Sequence, residues 1–252
     1  MRRFIPALAF IVCIIVLWEL VVWGFSIPEY LLPAPSVVFS RLFSIKAVLL
    51  THTAYTAFES ALGFITGSAL GILLAVLFVH SRTLELGIYP YAIALKTAPI
   101  VAIAPLLIVW FGNGLLPKVI VAAIISFFPV VVNTTKGLRN VDPEAFDLFD
   151  SMSATQSQIF FKLRVPSALP YLFSALRISS TLAVIGAIVG EFAGSDRGLG
   201  FFIMISSHRL ETVDMFVGIL FSSLLGILFF YGIALLEKIV VPWGKHIAAD
   251  TA

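Results

Sequence analysis

The stretch Asp147–Pro166, DLFDSMSATQSQIFFKLRVP, is the one long polar segment in a chain that is otherwise almost all apolar. It lies between two hydrophobic runs, and acidic, small and apolar residues recur along it before a closing proline. Just upstream, Asp142-Pro143-Glu144 is a strong helix start: an N-cap acceptor, proline at the first helical position, and acid in the first turn. From there Ala145, Leu148, Phe149 and Met152 fall on one face at helical spacing, and Ser153–Thr155 is a small, polar break. The pattern predicts a second short helix over Gln156–Val165, ended by Pro166 and Pro170. Two short helices and a tight turn make a compact knob. Its apolar side is expected to pack on the rest of the chain, leaving the turn and its polar flank exposed.

Around the knob the composition belongs to a membrane protein. Hydrophobic residues make up 60% of the 252 and charged residues 12%, with a mean hydropathy of +1.06, against roughly 25% charge in a soluble domain. Crossing the hydrocarbon takes about 20 apolar helical residues. Six runs reach that length: Phe4–Phe25, Thr53–Val79, Ile88–Phe111, Leu115–Gly137, Pro170–Phe192 and Val213–Leu236. The expected fold is all-α with six transmembrane helices, and the lack of strand-like alternation argues against an outer-membrane barrel. The first run, over residues 4–25, contains Trp18, Glu19 and Trp23 and is followed by no A-x-A cleavage site, so it reads as a retained helix and not a signal peptide.

With the N-terminus inside, the inner segments hold Arg2, Arg3, Arg82, Lys136, Arg139, Lys162, Arg164, Lys238 and Lys245. The outer segments hold Arg41, Lys46, Lys118, Arg197 and Arg209. Nine basic residues against five favour N-in and C-in, which puts the knob in the cytoplasm. The net charge of +2 reflects the same bias and gives no hint of nucleic acid. The single cysteine, Cys13, lies in the first apolar run and reads as core filling.

Signals for enzymatic chemistry are missing. His52, His80, His208 and His246 are scattered without metal-ligand spacing, so no metal is expected. Neither a P-loop nor a G-x-S-x-G is present. Gly63, Gly67 and Gly71 form one small-residue ladder, and Gly186, Gly190 and Gly194 form another. Each clears a flat stripe on a helix against which a neighbour packs closely.

Charges within the apolar runs cost about 2.5–3.5 kcal/mol each at mid-membrane and less near an interface. Glu19 and Arg177 read as interfacial. Glu59 opens the helix of the first ladder, and Lys96 lies about two turns into YAIALKTAPIVAIAP, a run that Pro99 and Pro105 are expected to kink. These two, with Glu191 at the end of an otherwise uncharged run, are the candidates for lining a watery path.

The knob resembles the motif E-A-A-x3-G-x9-I-x-L-P of the inner-membrane permeases of binding-protein-dependent ABC importers. The same spacing is filled here by Asp147, Leu148, Phe149, Ser153, Leu163, Val165 and Pro166. The proline is identical; Phe149 replaces an alanine, and Ser153 replaces a glycine although serine tolerates φ > 0 less well. Three further stretches look like the nitrate, sulfonate, taurine and vitamin-precursor branch: LLPAPSVVFSRL, APLLIVWFGNGLLPK and PSALPYLFSALRISSTLAVIGAIVGEFAGSDRGLGFFI. The resemblance covers essentially the whole chain.

It implies a type I importer fold, with one permease domain over residues 1–252 in the inner (plasma) membrane of a prokaryote. The loop over 141–168 would couple to the motor, with Asp147, Ser153, Ala154, Thr155, Gln156, Gln158 and Pro166 at or beside the docking surface. Implied partners are two ABC ATPase subunits, a periplasmic or lipid-anchored solute-binding protein, and a second permease copy, by default identical. ATP and Mg would belong to the ATPases, and this chain would bind no cofactor and catalyse nothing. The region after Glu191 would lie at the outer face near the binding protein. TLAVIGAIVGEF…GSDRGLGFFI looks closest to permeases for vitamin-type heterocycles, riboflavin or the pyrimidine precursor of thiamine. An anion such as a sulfonate, taurine or nitrate is the alternative cargo. A secondary transporter or channel would usually carry an internal repeat and would have no use for the knob. An intramembrane enzyme would need a catalytic pair, for which the sequence offers only Glu59 and Lys96.

Overall fold

The computed structural model describes residues 5–245, and its regular elements are helical throughout. In chain order they are α1 (Ile5–Gly24), α2 (Pro35–Ser44), α3 (Lys46–His80), α4 (Arg82–Thr97), α5 (Ile100–Phe111) and α6 (Leu115–Arg139). The knob contributes α7 (Pro143–Ser151), α8 (Gln156–Ile159) and a π-helical turn over Phe160–Arg164. Then come α9 (Val165–Ala193), α10 (Leu199–His208), α11 (Thr212–Val240) and a closing 3-10 turn, Pro242–Lys245. Among the described residues four helical stretches are long and apolar enough to cross a membrane: α3, α6, Gln156–Ala193 and α11. Counting the α4–α5 pair as one broken span makes five. α1 is apolar over Leu8–Gly24 but shorter. Phe4, Arg2 and Arg3, on which the first span and its orientation partly rest, lie outside the described residues.

Two proline readings differ from the sequence expectation. The run Ile88–Phe111 is not one kinked helix but two helices bent by 98°. Pro99 breaks it: Ala98, held by the following ring, is extended (φ −64°, ψ 135°), and the helix restarts only after the proline. Pro105 interrupts nothing and sits inside α5. The second difference concerns Pro166 and Pro170, which do not end the helix that starts at Gln156. Val165 N–H reaches back five residues to Phe160 O, and this wider turn delivers Pro166 to the second position of α9, where a missing N–H costs little. The result is a continuous stretch of 38 residues from the knob to the opposite end of the bundle.

Both glycine ladders face α6. A Cβ on Gly63 would fall on Ala122 Cβ, and one on Gly67 would sit 2.5 Å from Ala123 O, so α3 lies almost backbone to backbone on α6. On the other side, a Cβ on Gly186 would be 2.6 Å from Ala122 Cα and one on Gly190 would be 2.9 Å from Lys118 Cα, which brings α9 equally close. Gly194, at the end of that ladder, faces Ile108 of α5 instead. Ala122 is therefore sandwiched between two glycines. Ser179 Oγ donates to Ser126 O at 2.8 Å across the α9–α6 seam. A second apolar core, including Val38, Leu49, Leu199, Phe202 and Val217, joins α2, α10 and α11 to this trio.

Ion pairs fix the ends of the bundle. Arg139 donates to both oxygens of Glu85 at 2.7 Å and ties α4 to α6. Arg41 makes a two-point contact with Asp214 at 2.6 and 2.8 Å, joining α2 to the first turn of α11. That carboxylate holds the Arg41 guanidinium above its usual pKa.

Gly67→Leu is expected to cost about 3 kcal/mol, the upper end of overpacking. Gly226→Leu on α11, where an added Cβ meets nothing within 4 Å, should change stability by less than about 0.5 kcal/mol. Thermal melts of the two variants in one detergent make the comparison.

Candidate functional site

The knob at the end of α6 is built by local capping. Asp142 Oδ1 accepts from Glu144 N–H at 3.0 Å and starts α7. Ser153 takes the left-handed conformation (φ 52°), the geometry for which the resembling motif uses glycine. Its N–H reaches Asp150 O at 2.8 Å, and Ala154 N–H reaches Phe149 O at 3.0 Å. Thr155 and Gln158 then form a reciprocal capping box: Gln158 N–H on Thr155 Oγ1 at 3.3 Å, and Thr155 N–H on Gln158 Oε1 at 2.8 Å. Four short-range bonds thus hold the turn.

Ile159 is buried, and Phe160 lies 5.0 Å from the His80 ring at the end of α3, so the knob rests on α3 through α8 and the π turn. Asp147, Ser153, Thr155, Gln156 and Gln158 are exposed, with Ala154 and Pro166 half-buried. The apolar face of α7 does not pack on the membrane helices as expected: Leu148 is 58% and Met152 72% exposed. α7 projects from the bundle, and nothing among the described residues covers Leu148 or Met152. The knob is a rigid body with an open apolar side.

At the other end of α6 and α9 lies a cluster of buried charge. Lys118 in the first turn of α6, Glu59 of α3 and Glu191 near the end of α9 are 5%, 4% and 0% exposed. Lys118 Nζ is 3.5 Å from Glu59 Oε1 and donates to Ser195 Oγ at 2.7 Å. Thr56, one turn before Glu59 on α3, bonds to the Glu191 carboxylate and so brings it to the same place, and Glu59 Oε2 has no donor among the described residues. Glu191 accepts from Thr56 Oγ1 at 2.7 Å and from Gly200 N–H.

The segment after α9 folds inward around this carboxylate. Gly198 has φ +101°, and a Cβ there would overlap the Glu191 carboxyl. Its N–H donates to His52 Nδ1 at 3.1 Å, and Leu199 N–H donates to Thr56 Oγ1 at 2.7 Å. Outside the cluster, Arg197 donates to the Tyr55 hydroxyl, and that bond raises the guanidinium pKa above its usual value.

The structure therefore brings Glu59 and Glu191 together, buried, and adds partners that the sequence reading missed: Lys118, Thr56, Ser195 and His52. Lys118, one of the basic residues assigned to the outer segments, is instead buried in the bundle, and only its position inside an apolar run hinted at this. Lys96 stands apart, about 15 Å along α6 from Lys118. It is exposed into a separate cavity, with its ammonium 4.7 Å above the Phe128 ring. No group of His, Cys, Asp and Glu able to hold a metal occurs among the described residues.

Residues 67–242, which include the knob, match the family model described as the binding-protein-dependent transport system inner membrane component. The chain belongs to this permease family. The permease is 38% identical over 241 residues to the formylaminopyrimidine transport permease ThiX of Halalkalibacterium halodurans, covering 95% of this chain and 96% of that one. It is 31% identical to a permease of Bacillus subtilis described as transporting aliphatic sulfonates, with 91% and 84% coverage. Its fold matches a chain of the inward-facing MetNI methionine ABC transporter at a TM-score of 0.66, with 17% identity, covering 80% of this permease and 98% of that chain. The protein is thus a multi-pass membrane protein and an ABC importer permease of the type I fold, a family that works with an ATPase and a binding protein.

Lys118→Met leaves Glu59 buried without its cation and is expected to cost about 3–5 kcal/mol. Adding Glu59→Gln should recover part of that loss. Unfolding midpoints of the single and double variants read the coupling, and a double variant no more stable than Lys118→Met would show that the pair contributes nothing.

Proposed function

We propose that this permease imports a vitamin-type heterocycle, with a thiamine pyrimidine precursor ahead of riboflavin. The observation that carries the reading is the match to a formylaminopyrimidine permease over nearly the full length of both chains. A sulfonate, taurine or nitrate is the second reading, favoured by the likeness to the sulfonate permease. The charges within the bundle favour the heterocycle, since they form no basic ring around a path for a small anion.

Movement is driven from the knob. Its exposed apolar face, with Leu148 and Met152 outward, and its internally bonded turn suit insertion into a groove on an ATPase subunit. α9 is continuous with α8 through the π turn, so displacement of the knob passes along one helical rod about 55 Å long to the Glu191 end. ATP and Mg act on two ATPase chains, and the permease itself does no chemistry. Two identical permease copies enclose the path, each with α1 completing six spans and with both termini on the ATPase side. Nine basic residues against five in the connecting segments support that orientation.

Ala154→Arg is expected to leave expression and melting temperature unchanged. It should abolish co-purification of the ATPase and reduce ATP-driven uptake of labelled formylaminopyrimidine into proteoliposomes at least tenfold. Undiminished uptake in this variant would contradict docking at the knob. Uptake of taurine in place of the pyrimidine by the unaltered assembly would move the cargo to the anion reading.

A further inference from the structure

The bend between α4 and α5 opens a cavity of about 480 Å³ against α6, within the range of small-molecule sites. Its depth is notable: Phe128 on its wall is the fourteenth residue of the 25 in α6. Lys96 thus lies near mid-span, where an ammonium needs a partner or water, and it pairs with no carboxylate among the described residues. Its ammonium is held only over the Phe128 face. The remaining polar groups on that wall are equally incomplete. Asn133 spends one amide hydrogen on Pro129 O at 2.9 Å and keeps the other and its carbonyl oxygen. Pro129 has no N–H, so the Ile125 carbonyl one turn above lacks its usual partner. Leu95, Ile124 and Leu182 close the rest with apolar surface.

An aromatic face, a cation and a mixed donor–acceptor edge together define a ligand chemistry. We propose that this cavity is a transit site for the cargo, binding a planar heteroaromatic ring that displaces the Lys96 ammonium from the Phe128 face, stacks there and accepts a hydrogen bond from Lys96 at its edge. Ring substituents that donate meet the Ile125 and Asn133 oxygens, and ring nitrogens or carbonyls that accept meet Lys96 and the Asn133 amide. An aminopyrimidine presents both kinds of group in one plane. A small aliphatic sulfonate would engage Lys96 and leave the ring and the acceptors unused. This site rests on the heterocycle reading above and gives it a place in the bundle.

The test uses the complete importer, permease with its ATPase and binding protein, in proteoliposomes, with labelled formylaminopyrimidine and, separately, taurine as probes. Lys96→Met and Phe128→Leu are each expected to lower pyrimidine uptake at least tenfold, while ATP hydrolysis stimulated by the loaded binding protein continues. Lys96→Arg should regain uptake relative to Lys96→Met. Leu182→Trp, which fills the cavity from α9 without altering the ring or the cation, should show the same split between hydrolysis and uptake. Pyrimidine uptake unaffected by all three of Lys96→Met, Phe128→Leu and Leu182→Trp would overturn the site and leave the heterocycle reading standing. An unaltered importer that moves taurine and not the pyrimidine would overturn that reading, and the ring-binding role with it.

Discussion

The close approach of α3 and α9 to the two sides of α6 is the contact on which the rest of the structure depends. Apolar side chains alone give membrane helices little reason to prefer one another over lipid, so association depends on packing and on the few polar contacts that close approach permits. Ala122 between Gly63 and Gly186 provides that approach. Once the backbones are this near, Ser126 and Ser179 can bond across the seams, and Lys118 is carried under Gly190 to within 3.5 Å of Glu59. The buried charges are tolerable because the glycines have already fixed their distances.

This trio also separates the two functional ends of the molecule. From Lys118 to Arg139, α6 spans about 30 Å, roughly the thickness of the hydrocarbon. At one end the knob is stiffened by a capping box and a left-handed serine. At the other, Glu191 gathers hydrogen bonds from α3 and from the first turn of α10. α9 belongs to both ends. Under the proposed docking, a load on the knob would pass along α9 to a cluster of specific polar bonds and not to a fluid apolar contact. The α4–α5 break lies between the two ends and leaves a mid-depth cavity that faces Lys96.

The sequence made the knob legible because its signals are local: Asp142-Pro143-Glu144, the small, polar break Ser153–Thr155 and the spacing to Pro166 lie within one short stretch. The glycine ladders were legible for the same reason, although not that both would meet a single helix. The prolines were not. Pro99 and Pro105 look alike in one apolar run, yet only Pro99 breaks it, because Ala98 is extended in the folded chain. Pro166 and Pro170 read as terminators and proved compatible with a continuous helix once a π turn precedes them. Lys118 was missed because its partners are remote, with Glu59 and Ser195 separated from it by 59 and 77 residues. Long-range pairing of this kind leaves no periodic trace in one sequence.

The central claim is that this chain forms the path of an importer driven by a separate ATPase and loaded by a binding protein. Purification of the tagged chain from its native membrane in mild detergent, followed by mass spectrometry of whatever accompanies it, tests that claim most directly. The account predicts an ATPase subunit and a solute-binding protein in the eluate, the latter holding a planar heterocycle. A chain that comes out without an ATPase, under conditions in which other importers stay assembled, would contradict it.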